Sequence, residues 1–372
     1  MLYGLNDICI VPAKVSTINN RSECDPYSSG EMLPLFTAPM SCVINEKNWE
    51  TFVQNGVFTV LPRNVNINKR IALCDSTFVA LSLSEFEEWF VNKGKQTYGS
   101  KLFICIDIAN GHMKKLIDLC IAAKEIQGED LVLMTGNIAN PETYLEYAKA
   151  RIDYVRIGIG SGNVCTTSAN GGVHYPMASL IQECVKIKND IVEKKETIIK
   201  NANILEKQLE YSEFSNYHYD RSTELMIYKY KGYDKMSIPK IIADGGFKNF
   251  DHIIKALALG ADYCMLGEIF AKAEEACGSI IRGGFGANHA PYREYYGMST
   301  KRAQKEFGGE GNKTAEGIVK RVAIEYTLSK WTENFIHYLR TAMSYTNSRT
   351  LNEFHQCNTN IMSQQAFTSY NK

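Results

Sequence analysis

An α/β chain built as a (β/α)8 TIM barrel is predicted by three features of the sequence. Short apolar runs rich in β-branched residues recur at 102–108, 131–134, 154–159, 238–243 and 263–266, each followed by a helix-like stretch. This is the rhythm of buried parallel strands covered by helices. Small or polar residues stand at the C-terminal end of each run: Asp107 and Asn110, Gly136 and Asn137, Gly160 to Cys165, Asp244 to Gly246, Gly267 and Glu268. Barrels and open doubly wound sheets bind ligands at that end, so these residues point at one shared site. A doubly wound sheet normally carries its phosphate loop after the first strand. Here the glycine-rich segment lies mid-chain, which favours the barrel.

The bulk numbers fit a single large catalytic unit. The 372 residues are 45% hydrophobic and 22% charged, an ordinary globular composition. Lys plus Arg equals Asp plus Glu at 41 each. No global field therefore draws the protein to nucleic acid or an anionic membrane, and an anionic ligand must be held by local groups. The opening MLYGLNDICIVPAK has no basic segment leading into a long apolar core, and no stretch approaches the roughly 18 apolar residues of a spanning helix. A cytoplasmic protein is expected. Eleven cysteines are scattered without a C-x-x-C pair or a histidine at zinc spacing, and most are expected to be buried thiols.

The catalytic barrel is expected over residues 1–354, with an insertion near 186–237, a flap near 298–317 and a polar, loosely ordered tail over 355–372. In the insertion Ile191, Ile198, Ala202, Leu205 and Leu209 recur at spacings of seven, four, three and four, one apolar seam on a charged helix. The seam either packs on its own barrel or meets a subunit or partner. The following RSTELMIYKYKGY reads as a strand or hairpin.

The most informative stretch is GIGSGNVCTTSANGGVHYP, residues 158–176. Gly158, Gly160 and Gly162 permit positive φ and close backbone approach to a ligand. Amides turned inward there can cradle a phosphate, and carbonyls turned inward can ligate a hard monovalent cation. Cys165 follows on a polar loop, where amide dipoles and hydroxyls favour the thiolate, the nucleophilic form. Thr167 offers a hydroxyl beside the reacting atom.

This segment resembles the active-site loop shared by IMP dehydrogenases and GMP reductases, with the cysteine and both threonines in register. Further likenesses follow in the same order: LNDICIVPAK, NRSECD, PLFTAPM, FICIDIANGH, TGNIANPE, KIIADGGF, ADYCMLG, EYYGMST, AEG and LRTAMSYTNSRTLNEF. They span nearly the whole chain apart from the insertion and the tail. The resemblance implies that Cys165 attacks C2 of a purine mononucleotide, with Thr167 and Glu316 moving protons at the departing amino group. It implies that Asp244 holds the ribose hydroxyls and that Gly246, Gly267 and Ser299 line the phosphate pocket. Met40, Asn163, Glu268, Tyr296, Gly297, Met298 and Gly317 complete the implied substrate site. Asp107, Asn110, Asn137, Arg63 and Lys313 are implied for the NADPH cofactor. The carbonyls of Gly160, Gly162 and Cys165 are implied for K+, and a homotetramer for the assembly.

Two reactions run on this framework. The dehydrogenase needs a water-activating Arg-Tyr pair on the flap, and here neither residue occurs between Arg302 and Glu316. EYYGMST and NRSECD also resemble the reductase branch, and no regulatory domain interrupts the barrel. The expectation is an NADPH-dependent GMP reductase. The alternatives are an IMP dehydrogenase lacking its regulatory domain, and a catalytically idle nucleotide-binding protein acting through its inserted arm. Three departures from the family pattern stand out. Glu268 occupies a position usually Gly or Ser, where a carboxylate facing a phosphate would repel it, with Lys272 four residues on as a pairing partner. Ser161 stands for the usual Pro, and Ser168 for the usual Arg.

Overall fold

The computed structural model describes residues 1–95, 101–162, 167–212, 233, 235–282, 291–297, 300–306 and 317–362. Its centre is a ring of parallel strands, here β1 Leu35–Thr37, β2 Val60–Leu61, β3 Phe78–Leu81, β4 Leu102–Asp107, β5 Leu131–Ile138, β6 Tyr154–Ile157, β7 Lys240–Asp244 and β8 Tyr263–Leu266. The sheet runs from β1 through β8, β7, β6, β5, β4 and β3 to β2. Between β1 and β2 the ring is shut by Thr37 N donating to Phe58 O at 2.9 Å and Phe58 N donating to Leu35 O at 3.0 Å. The chain is a (β/α)8 barrel, as its sequence rhythm predicts. The first three strands escape that rhythm because two to four residues are too few to show a period.

Period-two alternation decides what each strand offers to which side. On β5, Leu131 and Leu133 turn outward into the core shared with the helices. Val132 and Met134 turn inward. The floor of the barrel is closed by aromatic rings: Phe36 meets Phe78 and Tyr263 edge-on with centroids 5.8 and 5.1 Å apart, and Phe78 meets Phe103 and Tyr154 at 5.3 and 5.4 Å. These are favourable edge-to-face geometries. With the floor filled, any cavity has to lie at the C-terminal mouth.

Above the mouth stands a three-stranded antiparallel sheet, Ile280–Ile281, Tyr292–Tyr295 and Lys320–Ala323. Arg293, fully buried, ties it down by donating to the carbonyls of Ala271, Ala273 and Gly278 at 2.5, 2.8 and 2.6 Å.

The expected insertion proves to be in part a continuation of a barrel helix, which runs unbroken over Met177–Ser212, about 54 Å at 1.5 Å per residue. Its seam meets the barrel at Ile191, which is 1% exposed within the main core. The segment read as a strand or hairpin lies outside the described residues. The tail needs a correction. It does not begin as loose chain at 355, because Thr359–Ile361 pairs antiparallel with Ile8–Ile10. Those two short segments satisfy each other's backbone groups, a pairing that no local pattern in either announces.

Just before that pair, the Nε2 atom of His355 is buried without a partner among the described residues, and burial pushes the ring's pKa down to about 4. The unfolded chain takes up this proton near pH 6.5 while the native ring refuses it. The fold is therefore expected to hold its full stability above about pH 6.5 and to lose part of it as pH falls towards 4. Urea midpoints across that range should show the loss, and His355→Gln should flatten it. Parallel curves for the two proteins would acquit His355.

Candidate active site

Inward alternation places Cys105 and Asp107 on β4, Tyr154 and Arg156 on β6, Ile242 and Asp244 on β7, and Tyr263 and Met265 on β8. On β4, β6 and β7 the uppermost inward position is thus charged, Asp107, Arg156 and Asp244, above Cys105, Tyr154 and Ile242 in the barrel interior. Together they line a cavity of about 490 Å³ at the mouth, with Met40, Arg63, Asp107, Asn137, Gly158, Gly160, Gly162, Asp244, Gly267 and Gly297 among its walls.

Arg156 organises this cavity, and sequence reading passed over it as one polar residue inside an apolar strand. Its Nη1 donates to Asp107 Oδ1 at 2.7 Å, while Nε and Nη2 donate to Asp244 Oδ2 at 3.0 and 2.8 Å. Although burial alone would lower its pKa, Asp244 and Asp107 hold the guanidinium charged, well above the ordinary arginine value. Asn137 adds a donor, its Nδ2 reaching Asp244 Oδ2 at 2.8 Å and Gly158 O at 2.9 Å. Three donors thus converge on one oxygen of Asp244. The other, Oδ1, accepts no hydrogen bond among the described residues.

Gly136 makes the arginine bridge feasible. It sits in register between Asp107 and Arg156, with φ at +151°, and a Cβ there would lie 2.7 Å from Arg156 Cβ. Without a side chain at this position Arg156 spans the gap to β4.

Two small features complete the mouth. Arg63 Nε lies 4.0 Å from Asp107 Oδ2 at the rim. A recess of about 30 Å³ opens beside the main cavity and is walled in part by Gly245, Gly246, Gly267, Glu268 and Tyr295. Tyr295 is 5% exposed, and burial first, with nearby groups including Glu268 after it, pushes its phenol well above the ordinary tyrosine value. A Cβ at Gly267 would come within 2.5 Å of the Tyr295 hydroxyl.

Several sequence expectations are relocated. Tyr295, not Tyr296, is the tyrosine at the cavity; Tyr296 lines a separate polar recess with Ser41, Cys277 and Arg302. Strand alternation at the end of Tyr292–Tyr295 was the signal that distinguishes the two. Asn110 is exposed, and its Oδ1 accepts from His112 N at 3.0 Å in a local turn, so it does not join the cavity walls. Gly317 is likewise absent from those walls. Lys272 Nζ reaches Glu325 Oε1 at 3.0 Å and does not pair with Glu268. The Gly160 carbonyl accepts the Ser168 hydroxyl at 3.0 Å, which leaves one of its lone pairs for a cation.

Cys165, Asn163, Met298, Ser299, Lys313 and Glu316 lie outside the described residues, as does the Thr167 side chain. Of the other ten cysteines seven are buried, and burial pushes thiols such as Cys74 up to about 11 and Cys184 to about 12. A thiol held there is a poor nucleophile.

The family model described as IMP dehydrogenase / GMP reductase domain matches residues 99–201 and 225–369. The chain belongs to this family. Among its relatives are a GMP reductase of Buchnera aphidicola subsp. Baizongia pistaciae, 28% identical over 94% of this chain and 90% of that protein, and a GMP reductase of Bacillus subtilis, 26% identical over 94% and 93%. An inosine-5'-monophosphate dehydrogenase of Chlorobaculum tepidum is 28% identical over 67% of this chain and 43% of that protein. No helix among the described residues is long and apolar enough to cross a membrane.

Proposed function

We propose that the protein is an NADPH-dependent oxidoreductase that removes the 2-amino group of a guanine nucleotide, converting GMP to IMP and ammonia. The carrying observation is the mouth cavity in which Asp244 keeps one carboxylate oxygen open beside the glycine turns that lead to Cys165. A carboxylate fixed by Arg156 and Asn137 is well suited to accept two vicinal ribose hydroxyls. Relatives named GMP reductase, matching this chain almost end to end, support the reductase direction.

In this reading the Cys165 thiolate bonds to purine C2 while Thr167 and Glu316 supply the proton with which the exocyclic amine leaves as ammonia. A reduced nicotinamide, when bound, would supply one hydride to C2. The carbon–sulfur bond then breaks and the thiolate is restored. Asp107, Asn137 and Arg63 would hold the cofactor, and the chemistry of these walls fits it: hydrogen-bonding groups for a carboxamide and ribose, with a guanidinium at the rim. The carbonyls of Gly160, Gly162 and Cys165 are proposed for K+. A cytoplasmic homotetramer is the proposed setting.

The test is a single-turnover assay. Enzyme mixed with GMP and NADPH should show loss of the reduced-nicotinamide absorbance together with stoichiometric ammonia and IMP. Formation of XMP from IMP and NAD, with no reaction in the first mixture, would replace the reductase by the dehydrogenase.

A further inference from the structure

Asp107 ends β4 and Asp244 ends β7, with β5 and β6 between them in the ring. The proposed reaction gives them different ligands, the nicotinamide half of the cofactor and the ribose of the nucleotide. One side chain joins them. Arg156 presents Nε and Nη2 to Asp244 Oδ2 at 3.0 and 2.8 Å and Nη1 to Asp107 Oδ1 at 2.7 Å, reaching β4 across Gly136 of β5. A guanidinium is planar and rigid, so its nitrogens keep their mutual positions. A tilt imposed at the Asp244 edge is therefore carried to Asp107. Asp107 has little else to orient it. Among the described residues Arg156 is its one hydrogen-bond donor, and Arg63 Nε stands 4.0 Å from Oδ2, beyond hydrogen-bond reach. Asp244 accepts from Asn137 as well.

We propose that Arg156 is a positioning residue that makes the two ligands bind cooperatively: ribose hydroxyls closing on Asp244 fix the guanidinium plane, and the plane sets Asp107 for the nicotinamide. The ligand on each carboxylate rests on the reading above, and the coupling between them is additional to it. Hydroxyls donating to Asp244 also spread its charge, which lessens its repulsion of Asp107 where both side chains are largely withdrawn from water. Both effects have the same sign. By linkage, the cofactor tightens the nucleotide by the factor with which the nucleotide tightens the cofactor.

The test is isothermal titration of the full-length protein with NADPH, alone and with saturating IMP. IMP is the product of the proposed reduction, so this pair does not react. In the wild type IMP is expected to tighten NADPH by about fivefold or more. The analogue 2',3'-dideoxy-IMP keeps the base but has no hydroxyl for Asp244. It should bind more weakly than IMP and, at saturation, leave NADPH within about twofold of its affinity for the free protein. Arg156→Lys, whose single ammonium cannot meet both carboxylates as the fork does, should bind each ligand singly yet lose the cooperativity, a result that a merely structural role would not give. Independent binding of IMP and NADPH by the wild type, or cooperativity that the dideoxy nucleotide or the lysine variant keeps in full, overturns the inference and leaves the reductase reading standing. Should the lysine variant fail to fold, the dideoxy comparison decides alone. Failure of either ligand to bind, or equal affinity for IMP and its dideoxy form, removes the assignment of the ligands and the inference with it.

Discussion

Arg156→Met is expected to lower the stability of the protein by about 3–5 kcal/mol, the usual cost of removing one partner from a buried ion pair. The reason is local. Asp107 and Asp244 would face one another across the barrel mouth without the guanidinium that now donates to both, and both side chains are largely withdrawn from water at 13% and 12% exposure. Methionine matches much of the volume but neither the charge nor the donors. Arg156→Lys should recover part of the loss, because one ammonium cannot reproduce the planar fork that meets two carboxylates at once. Urea midpoints with unchanged slopes would measure the difference. A methionine variant within 1 kcal/mol of wild type would show that the carboxylates are neutralised in another way.

Cys165→Ala should lower turnover of GMP by about 10³-fold or more, while ligand affinity changes little. A nucleophile contributes to the transition state and not to ground-state recognition, so kcat should fall and binding should persist. NADPH loss unchanged in this variant would discard the covalent route. Loss of binding alongside turnover would instead make Cys165 a structural residue of its loop. Seven of the ten other cysteines are buried, and burial raises thiols such as Cys74 and Cys184 away from the reactive form.

Much of the barrel was legible in the sequence because its longer strands are bounded by helices and end in ligand-type residues. Asp107, Asn137, Asp244 and the glycine turns do converge, as their positions after apolar runs predict. Arg156 was illegible for a physical reason: a buried cation inside an apolar strand is read as noise until the register shows a carboxylate on each side. The choice between Tyr295 and Tyr296 needed the strand's facing, which two adjacent identical residues conceal. Asn110 accepts from His112 N in a local turn, and an Asn after a strand caps a turn as readily as it meets a ligand. The start of the C-terminal strand depends on a partner about 350 residues earlier, beyond the reach of any local window.

Because floor and mouth are built on the same strands at two-residue spacing, Tyr154 beneath Arg156 and Ile242 beneath Asp244, a single inserted or deleted residue within β6 or β7 would swing a ring or aliphatic side chain out of the plug and a charged group out of the cavity in one stroke. Heritable change in ligand preference is thereby channelled away from the strands and into the turns that follow them, where one side chain such as that of Glu268 can be exchanged while the staves stay in place.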